Sequence, residues 1–193
     1  MKYIKTASIL GLIAVICAAI IAAFSLITSP IIKNNNANKE LETYKVIDSR
    51  YDHNFDITDK LSKETLDYDL IEKAIIAYDI DNNELGYIYT VTGKNSYGTI
   101  SLMIGVANGY VFDVEFLSNT ESFSSTVNDY VKSHYPSSKT NAIYIGFNEA
   151  IDDEINKLSK DDILNMDTKC GATYGAKLVQ KLVLAAVSAE VLQ

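Results

Sequence analysis

The fold is decided by residues 100–116, ISLMIGVANGYVFDVEF. A period of two in apolar residues is typical of a β-strand, because successive side chains point to opposite faces of a sheet. That period occurs on both sides of the dipeptide Asn108-Gly109, at Ile100, Leu102, Ile104 and Val106 before it and at Tyr110, Phe112, Val114 and Phe116 after it. Asn-Gly is the pair that a type I′ hairpin turn favours. The stretch therefore predicts an antiparallel hairpin.

Further strands are expected on either side of this hairpin. Residues 86–92 are rich in Tyr, Val, Ile and Thr and predict a third strand. A fourth is expected at residues 45–48 or at 71–79, and residues 141–147 predict one more. Asp113 and Glu115 alternate with apolar residues, which predicts that their strand has one face in water.

Helices are expected at the end of the chain and after the hairpin. Residues 176–192 are apolar around most of a helix circumference, which predicts a helix buried across the sheet. Shorter helices are predicted at 124–133 and 148–158, with residues 159–162 as the exit turn of the latter. Residues 40–48 also fit a short helix. The class is α+β, an antiparallel sheet with packed helices.

An N-terminal transmembrane helix is predicted to precede this domain. No charged residue occurs between Thr6 and Ile32, and residues 7–28 are long enough to cross a bilayer. Lys2 and Lys5 precede the apolar run, which places the N-terminus in the cytoplasm and the domain outside the cell membrane. The predicted organisation is an anchor at 1–32, a polar linker at 33–40 and an extracytoplasmic domain at 41–193. A cleaved signal peptide is the alternative.

Composition excludes several classes of function. The net charge is −8, which argues against nucleic acid and anionic lipid as partners. Cys17 lies in the anchor and Cys170 in the domain, so no internal disulfide is expected. Cys170 has no recognisable catalytic histidine signature beside it. The acidic run at 152–154 lacks the spacing of a calcium loop, so we expect no metal site.

The most informative motif is DTKCGATYG, residues 167–175. A Gly-Ala turn presents the hydroxyl of Thr173 directly before the long C-terminal helix. The N-terminus of a helix suits a phosphate group, because its first N–H groups are free and its dipole is positive there. The alternative is that Thr173 is an ordinary N-cap.

The chain resembles the FMN-binding domain family of the G subunit of Rnf electron-transport complexes and the C subunit of the sodium-pumping NADH:quinone oxidoreductase. The resemblance rests on the anchor, on the block ELGYIYTVTGKNSYGTISLMIGV at 84–106, and on the family motif D-x-x-[S/T]-G-A-[S/T]. The motif is matched by Asp167, Cys170, Gly171, Ala172 and Thr173. The resemblance implies that a flavin transferase joins FMN through its phosphate to the Thr173 hydroxyl.

The resemblance also implies roles for neighbouring residues. Asp167 is expected to serve recognition by the transferase, and Cys170, Gly171 and Ala172 to form the attachment turn. Tyr174 is the tyrosine best placed to stack on the flavin; Tyr87, Tyr89, Tyr97 and Tyr110 are further candidates, more simply explained as ordinary core or surface aromatics. The family's E-T-P-G loop corresponds to residues 121–124, where Glu121 and Ser122 fit and are expected near the flavin.

Two functions follow as expectations. The first is a membrane-anchored flavoprotein that relays electrons between membrane redox subunits, as part of an ion-translocating complex rather than as a stand-alone enzyme. The second is an extracytoplasmic binding module of the same fold that has lost the flavin. Departures from the family pattern motivate the second: Phe123 and Ser124 replace Pro and Gly, Cys170 replaces Ser or Thr, and Gly175 replaces a small hydroxyl residue.

Overall fold

The structure of the protein is a computed structural model that describes residues 41–146, 157–168 and 172–191. The chain divides into two compact units, Met1–Glu42 and Thr43–Gln193. The predicted anchor and linker, together with Cys170 and Gly171, lie outside the described residues. Within the described part of the chain, no helix is both long and apolar enough to span a membrane.

The described residues of the second unit form a seven-stranded sheet whose spatial order follows the chain. Its strands are β1 (His53–Asp56), β2 (Ile71–Tyr78), β3 (Glu84–Asn95), β4 (Gly98–Ala107), β5 (Tyr110–Asn119), β6 (Ile143–Gly146) and β7 (Lys157–Ser159). Every neighbouring pair is antiparallel except β6 and β7, which are parallel. The prediction of a mainly antiparallel α+β domain is thus confirmed.

The predicted central hairpin is confirmed. Asn108 and Gly109 have φ angles of 53° and 79°, and a type I′ turn requires positive φ at both of its central residues. The pairing of β4 with β5 then shifts between Gly105 and Val106, so that Phe112 and Asp113 together oppose Gly105. Such a β-bulge interrupts the alternation of faces.

The prediction that Asp113 faces water is wrong, because the sheet face that carries it is covered. Asp113 is only 3% exposed. A Cβ atom on Gly105 would lie 2.5 Å from Cε2 of Phe112 and 2.8 Å from Cγ2 of Ile47, so this face is covered by the chain before β1. Ser137 also forms an isolated bridge with Asp113. The aspartate is therefore enclosed although its neighbours in sequence suggested an exposed strand face.

The described helices are α1 (residues 41–47), α2 (Ser124–His134), α3 (Lys160–Asn165) and α4 (Thr173–Val191). The predictions of α2 and α4 are confirmed. Residues 45–47 are helical, so the fourth strand is β2 rather than residues 45–48. Short 3-10 turns occur at Thr58–Lys60, Tyr68–Leu70 and Lys139–Asn141.

The predicted helix at 148–158 and its exit turn at 159–162 are wrong where they can be compared. Residues 157–158 belong to strand β7, and residues 147–156 lie outside the described residues. Ser159 begins a helix rather than ending one. Its hydroxyl accepts a hydrogen bond from the Asp162 amide at 3.1 Å, and Asp162 accepts one from the Ser159 amide at 2.7 Å. This reciprocal capping box starts α3.

Helix α4 lies across β3 and β4 and fills the main core. Its buried residues pack on the sheet face that carries Ile100, Leu102 and Ile104. Gly93 allows a close approach, because a Cβ atom there would lie 2.6 Å from Cδ1 of Leu178. Helices α2 and α3 contact α4 from the side. The long helix is thus fixed along most of its length, and its first turn, at Thr173 and Tyr174, is exposed to solvent.

Candidate functional site

The candidate site begins at the first turn of α4. The amide of Ala176 donates to the carbonyl of Ala172 at 3.0 Å, so Ala172 occupies the N-cap position and Thr173 is the first helical residue. The Thr173 hydroxyl donates to the carbonyl of Thr168 at 3.1 Å. An N-cap hydroxyl would instead accept from a helix amide, so the N-cap interpretation of Thr173 is wrong. Thr173 is an exposed residue at the helix start.

Three elements meet at this turn and enclose a cleft of about 290 Å³, called here the α4-start cleft. It is lined by Tyr97, Glu121, Phe123, Ala172, Thr173, Tyr174 and Gly175. Tyr97 comes from the β3–β4 turn, Glu121 and Phe123 from the segment between β5 and α2, and the rest from the beginning of α4. The fold therefore brings the expected Glu121 and Thr173 together, although 51 positions separate them in sequence.

Three aromatic rings form one wall of the α4-start cleft. Tyr97, Phe123 and Tyr174 are 43%, 49% and 65% exposed. The ring centroids of Tyr97 and Tyr174 are 5.4 Å apart, and those of Tyr97 and Phe123 are 6.3 Å apart. Aromatic residues usually bury their large apolar faces, so three adjacent exposed rings suit a planar apolar ligand.

The other candidate tyrosines lie elsewhere. Tyr89 is fully buried and its ring stacks near that of Tyr87, while Tyr110 packs edge-on against Tyr144. Phe123 was not expected at the site at all, since it appeared only as a departure from the E-T-P-G pattern. A single aromatic residue between polar neighbours in the sequence is a signal that the motif comparison did not use.

Glu121 holds the loops of the cleft together. Its side chain is almost completely buried and accepts a hydrogen bond from the side-chain amide of Asn95. The carbonyl oxygen of that same Asn95 side chain accepts from the Tyr97 amide at 2.7 Å and from the Gly98 amide at 3.1 Å. Because one side chain bridges Glu121 and the β3–β4 turn, it fixes Tyr97 relative to the segment before α2.

Ser122 has a supporting position rather than a place in the lining. Its amide donates to the carbonyl of Tyr97 at 3.2 Å, and its hydroxyl donates to the same carbonyl at 3.3 Å. These bonds tie the two loops that carry Tyr97 and Phe123. Ser122 therefore stabilises the loop beside the cleft, and its expected place near a flavin stays a prediction.

Gly175 has a steric reason to be glycine. A Cβ atom at this position would lie 2.5 Å from Cγ2 of Val127 and 3.1 Å from Oε1 of Glu121. The first turn of α4 therefore seats directly on α2 and on the buried glutamate. A hydroxyl-bearing side chain, which the family pattern favours here, would push that turn away.

The remaining motif residues are only partly visible. Asp167 is exposed just ahead of the site, and Cys170 and Gly171 lie outside the described residues. Among the residues that the structure describes, no group of three or more His, Cys, Asp or Glu side chains is placed to hold a metal ion. The chemistry that the described site offers is an exposed hydroxyl, a helix N-terminus and an aromatic wall.

Comparisons with known proteins bear on the opposite end of the chain. The fold and the cleft define an α+β domain with a recess of about 290 Å³ at the start of its long C-terminal helix. Residues 2–47 match the family model for the RnfG N-terminal region. The chain thus resembles the RnfG subunit, which supports a relation to Rnf-type subunits. The match covers less than half of the chain and does not include the α4-start cleft. A search of curated proteins finds no match.

Proposed function

We propose that this protein is a membrane-anchored electron-transfer subunit of an Rnf-type complex and carries FMN joined by a phosphoester bond to Thr173. The observation that carries the proposal is the exposed Thr173 hydroxyl at the start of α4, in one cleft with Glu121 and three exposed aromatic rings. The family match at residues 2–47 supports the same assignment from an independent part of the chain.

The residues of the α4-start cleft fit such a group. The phosphate of FMN would lie at the N-terminus of a 19-residue helix, where free N–H groups and the helix dipole favour negative charge. The rings of Tyr97, Phe123 and Tyr174 would hold the planar isoalloxazine. Bound FMN supplies one- and two-electron transfer. The chain contributes attachment, orientation and exclusion of water from one face of the ring.

The remaining predicted features complete the proposal. The flavin transferase would recognise Asp167, together with the turn at Cys170, Gly171 and Ala172. The anchor at 1–32 would keep the flavin close to the other membrane redox subunits, and the domain would be extracytoplasmic. A covalent bond suits this arrangement, because a cofactor lost outside the membrane could not be recovered.

The test is covalent labelling of the full chain. We would co-express it with a flavin transferase and measure flavin fluorescence of the denatured protein in a gel. The parent and Thr173→Ser should be fluorescent, because both keep a hydroxyl, and Thr173→Ala should be dark. Fluorescence of the Thr173→Ala variant would show that the flavin is attached to another residue. A dark parent beside a labelled family member in the same cells would overturn the proposal.

The alternative, a binding module without flavin, rested on four departures from the family pattern. Two of these now have a structural explanation that is compatible with flavin. Phe123 contributes a ring to the cleft wall, and Gly175 is required by the contact with Val127 and Glu121. Ser124 and Cys170 have no such explanation, and Cys170 favours the alternative more directly, because a thiol is a weaker hydrogen-bond partner than a hydroxyl. A dark parent in the labelling experiment would support it.

A further inference from the structure

Helix α4 opens to solvent along a single line. Between residues 173 and 189 the exposed residues are Thr173, Tyr174, Lys177 and Lys181, and all the others are buried. Positions four apart lie on the same side of a helix, about 6 Å apart along its axis. Thr173, Lys177 and Lys181 therefore form one stripe, which starts at the proposed attachment site and continues as positive charge.

A second cleft, of about 430 Å³, lies along this stripe and is called here the lysine cleft. Lys177 and Lys181 line it from α4, and Lys160 lines it from α3. Leu66 and Leu164 also line the cleft and are apolar, and Leu164 is 46% exposed. The cleft lining thus combines cationic and apolar side chains.

The charge of the lysine cleft is opposite to that of the chain. Asp67 is the acidic residue among its described lining, and it pairs with Lys181 at 2.9 Å. Within the described residues, Lys160 and Lys177 form no ion pair. The cleft therefore carries a positive excess in a chain whose net charge is −8. Local charge of this kind steers the association of an oppositely charged surface.

We propose that the lysine cleft is the docking site for an acidic segment of a partner protein. Carboxylates of the segment would pair with Lys160 and Lys177, and an apolar side chain between them would contact Leu66 and Leu164. A short segment suits the cleft better than an extended anionic surface, because the rest of this acidic chain would repel the latter. In this arrangement the partner would exchange electrons with a flavin on Thr173, a step that rests on the proposed function.

The experiment measures binding of a defined peptide to the full chain in an uncharged detergent. The probe is a fluorescein-labelled peptide of eight glutamates with one central leucine, followed by fluorescence anisotropy. The test variant is Lys177→Glu/Lys181→Glu. The matched control is Lys45→Glu/Lys132→Glu, which changes the net charge equally at two exposed lysines of α1 and α2. Circular dichroism verifies that each variant is folded.

The parent should bind the peptide with an affinity that falls as salt rises. The test variant should lose about fivefold or more in affinity, and the control should stay within about twofold, since only the first pair lines the cleft. Equal losses in both variants, or no binding by the parent at low salt, would overturn the proposal. The proposal would also be overturned if the protein bound phosphatidylglycerol-doped micelles through Lys177 and Lys181 but did not bind the peptide.

Failure of this proposal can be told apart from failure of the proposed function. Peptide binding needs no flavin, so a protein that stays dark in the labelling experiment can still bind the peptide. A fluorescent protein that does not bind the peptide would keep the electron-transfer function and remove only the docking site.

Discussion

Two clefts of the sheet domain differ in size and in how their polar groups are used. The first, called here the hairpin-end cleft, measures about 630 Å³ and is lined by residues that include Tyr87, Tyr110, Phe112 and Lys139. The α4-start cleft is less than half as large, at about 290 Å³. Size alone would favour the first as a ligand site.

The contacts reverse that ranking. In the hairpin-end cleft, the ammonium group of Lys139 donates to the carbonyl of Leu85 at 2.8 Å, pairs with Asp48 at 3.0 Å and lies 4.5 Å from the centre of the Phe112 ring. Its functional group is thus engaged in holding the fold. In the α4-start cleft, the Thr173 hydroxyl makes one hydrogen bond, to the carbonyl of Thr168, and belongs to an exposed residue beside three exposed aromatic rings. Exposed functional groups mark a site better than volume does.

The largest expected effect separates the two clefts by flavin labelling. Thr173→Ala should abolish covalent flavin, whereas Lys139→Met in the larger cleft should leave labelling complete. Lys139→Met should instead lower the free energy of unfolding by about 1–2 kcal/mol, because it removes one partner of the mostly buried Asp48 carboxylate. Gel fluorescence and chemical denaturation measure the two effects. Loss of labelling in Lys139→Met would break the comparison.

The loss of unfolding free energy in Lys139→Met should depend on pH, because Asp48 is a titratable group. Burial alone would raise the pKa of Asp48, but hydrogen bonds from Arg50 and Lys139 hold the pKa well below its usual range. The stabilisation is therefore present above the unfolded pKa near 4 and is lost as the pH falls below it. The difference in unfolding free energy between parent and Lys139→Met should narrow in acid. A difference that stays constant down to low pH would contradict the assignment of the effect to Asp48.

A second prediction concerns Asp113, next to Phe112 in the wall of the hairpin-end cleft. Burial, and then repulsion from Glu115, raise the pKa of Asp113 to about 7, and its Oδ1 atom has no hydrogen-bond partner among the described residues. The folded state therefore holds a proton that the unfolded state releases near pH 4. The folded protein should lose stability as the pH rises from about 4 to 7.

Asp113→Asn should remove that pH dependence. The change in unfolding free energy between pH 4 and pH 8 should shrink by about 3 kcal/mol relative to the parent. Glu115→Gln is the comparison variant, since it removes only the repulsion and should give a smaller change. Denaturation of the full chain in an uncharged detergent, followed by circular dichroism, measures both. An unaltered pH profile in Asp113→Asn would show that the carboxylate is charged and satisfied in the folded state.

The central part of the fold could be predicted because its sequence signal is local. Alternation at Ile100–Val106 and the pair Asn108-Gly109 specify the β4–β5 hairpin without information from elsewhere in the chain. Strand β1 gave no such signal, because it is a short edge strand whose Phe55 is half exposed. The start of α3 differs from the expected exit turn, although Ser159 and Asp162 have the spacing of a capping box. The burial of Asp113 depends on the segments that contain Ile47 and Ser137 and could not be predicted from one strand.

The candidate site divides in the same way. Thr173 and Glu121 were expected from two separate motifs, and the fold brings them into one cleft. The aromatic wall depends on contacts between three elements, so no local pattern could identify Phe123 as a member. The reason for Gly175 is likewise a contact, with Val127 on another helix. Motifs identify the residues that carry chemistry, whereas the residues that shape the cleft emerge only from packing.

A third prediction tests the packing of the α4-start cleft. Gly175→Ser restores the small hydroxyl residue of the family pattern, yet it should destabilise the domain by about 1–2 kcal/mol, because its Cβ atom would overlap Val127. In the Val127→Ala background, Gly175→Ser should cost much less stability, because the smaller side chain at position 127 leaves room for the new Cβ atom. Denaturation midpoints of the four proteins measure this coupling. Additive effects would mean that the two side chains do not meet.

The smallest expected effect on stability is at Tyr174. Its side chain is 65% exposed, so Tyr174→Ala should change the unfolding free energy by less than about 0.5 kcal/mol. The same substitution should change the visible circular dichroism of the attached flavin, because it removes a ring from the wall that orients the isoalloxazine. Tyr110→Ala in the hairpin-end cleft is the matched control. It should lower the unfolding free energy, since Tyr110 packs on Tyr144 at 5.1 Å, and it should leave the circular dichroism of the flavin unchanged. An unchanged flavin spectrum in Tyr174→Ala would mean that the flavin ring lies away from the aromatic wall, even if Thr173 holds its phosphate.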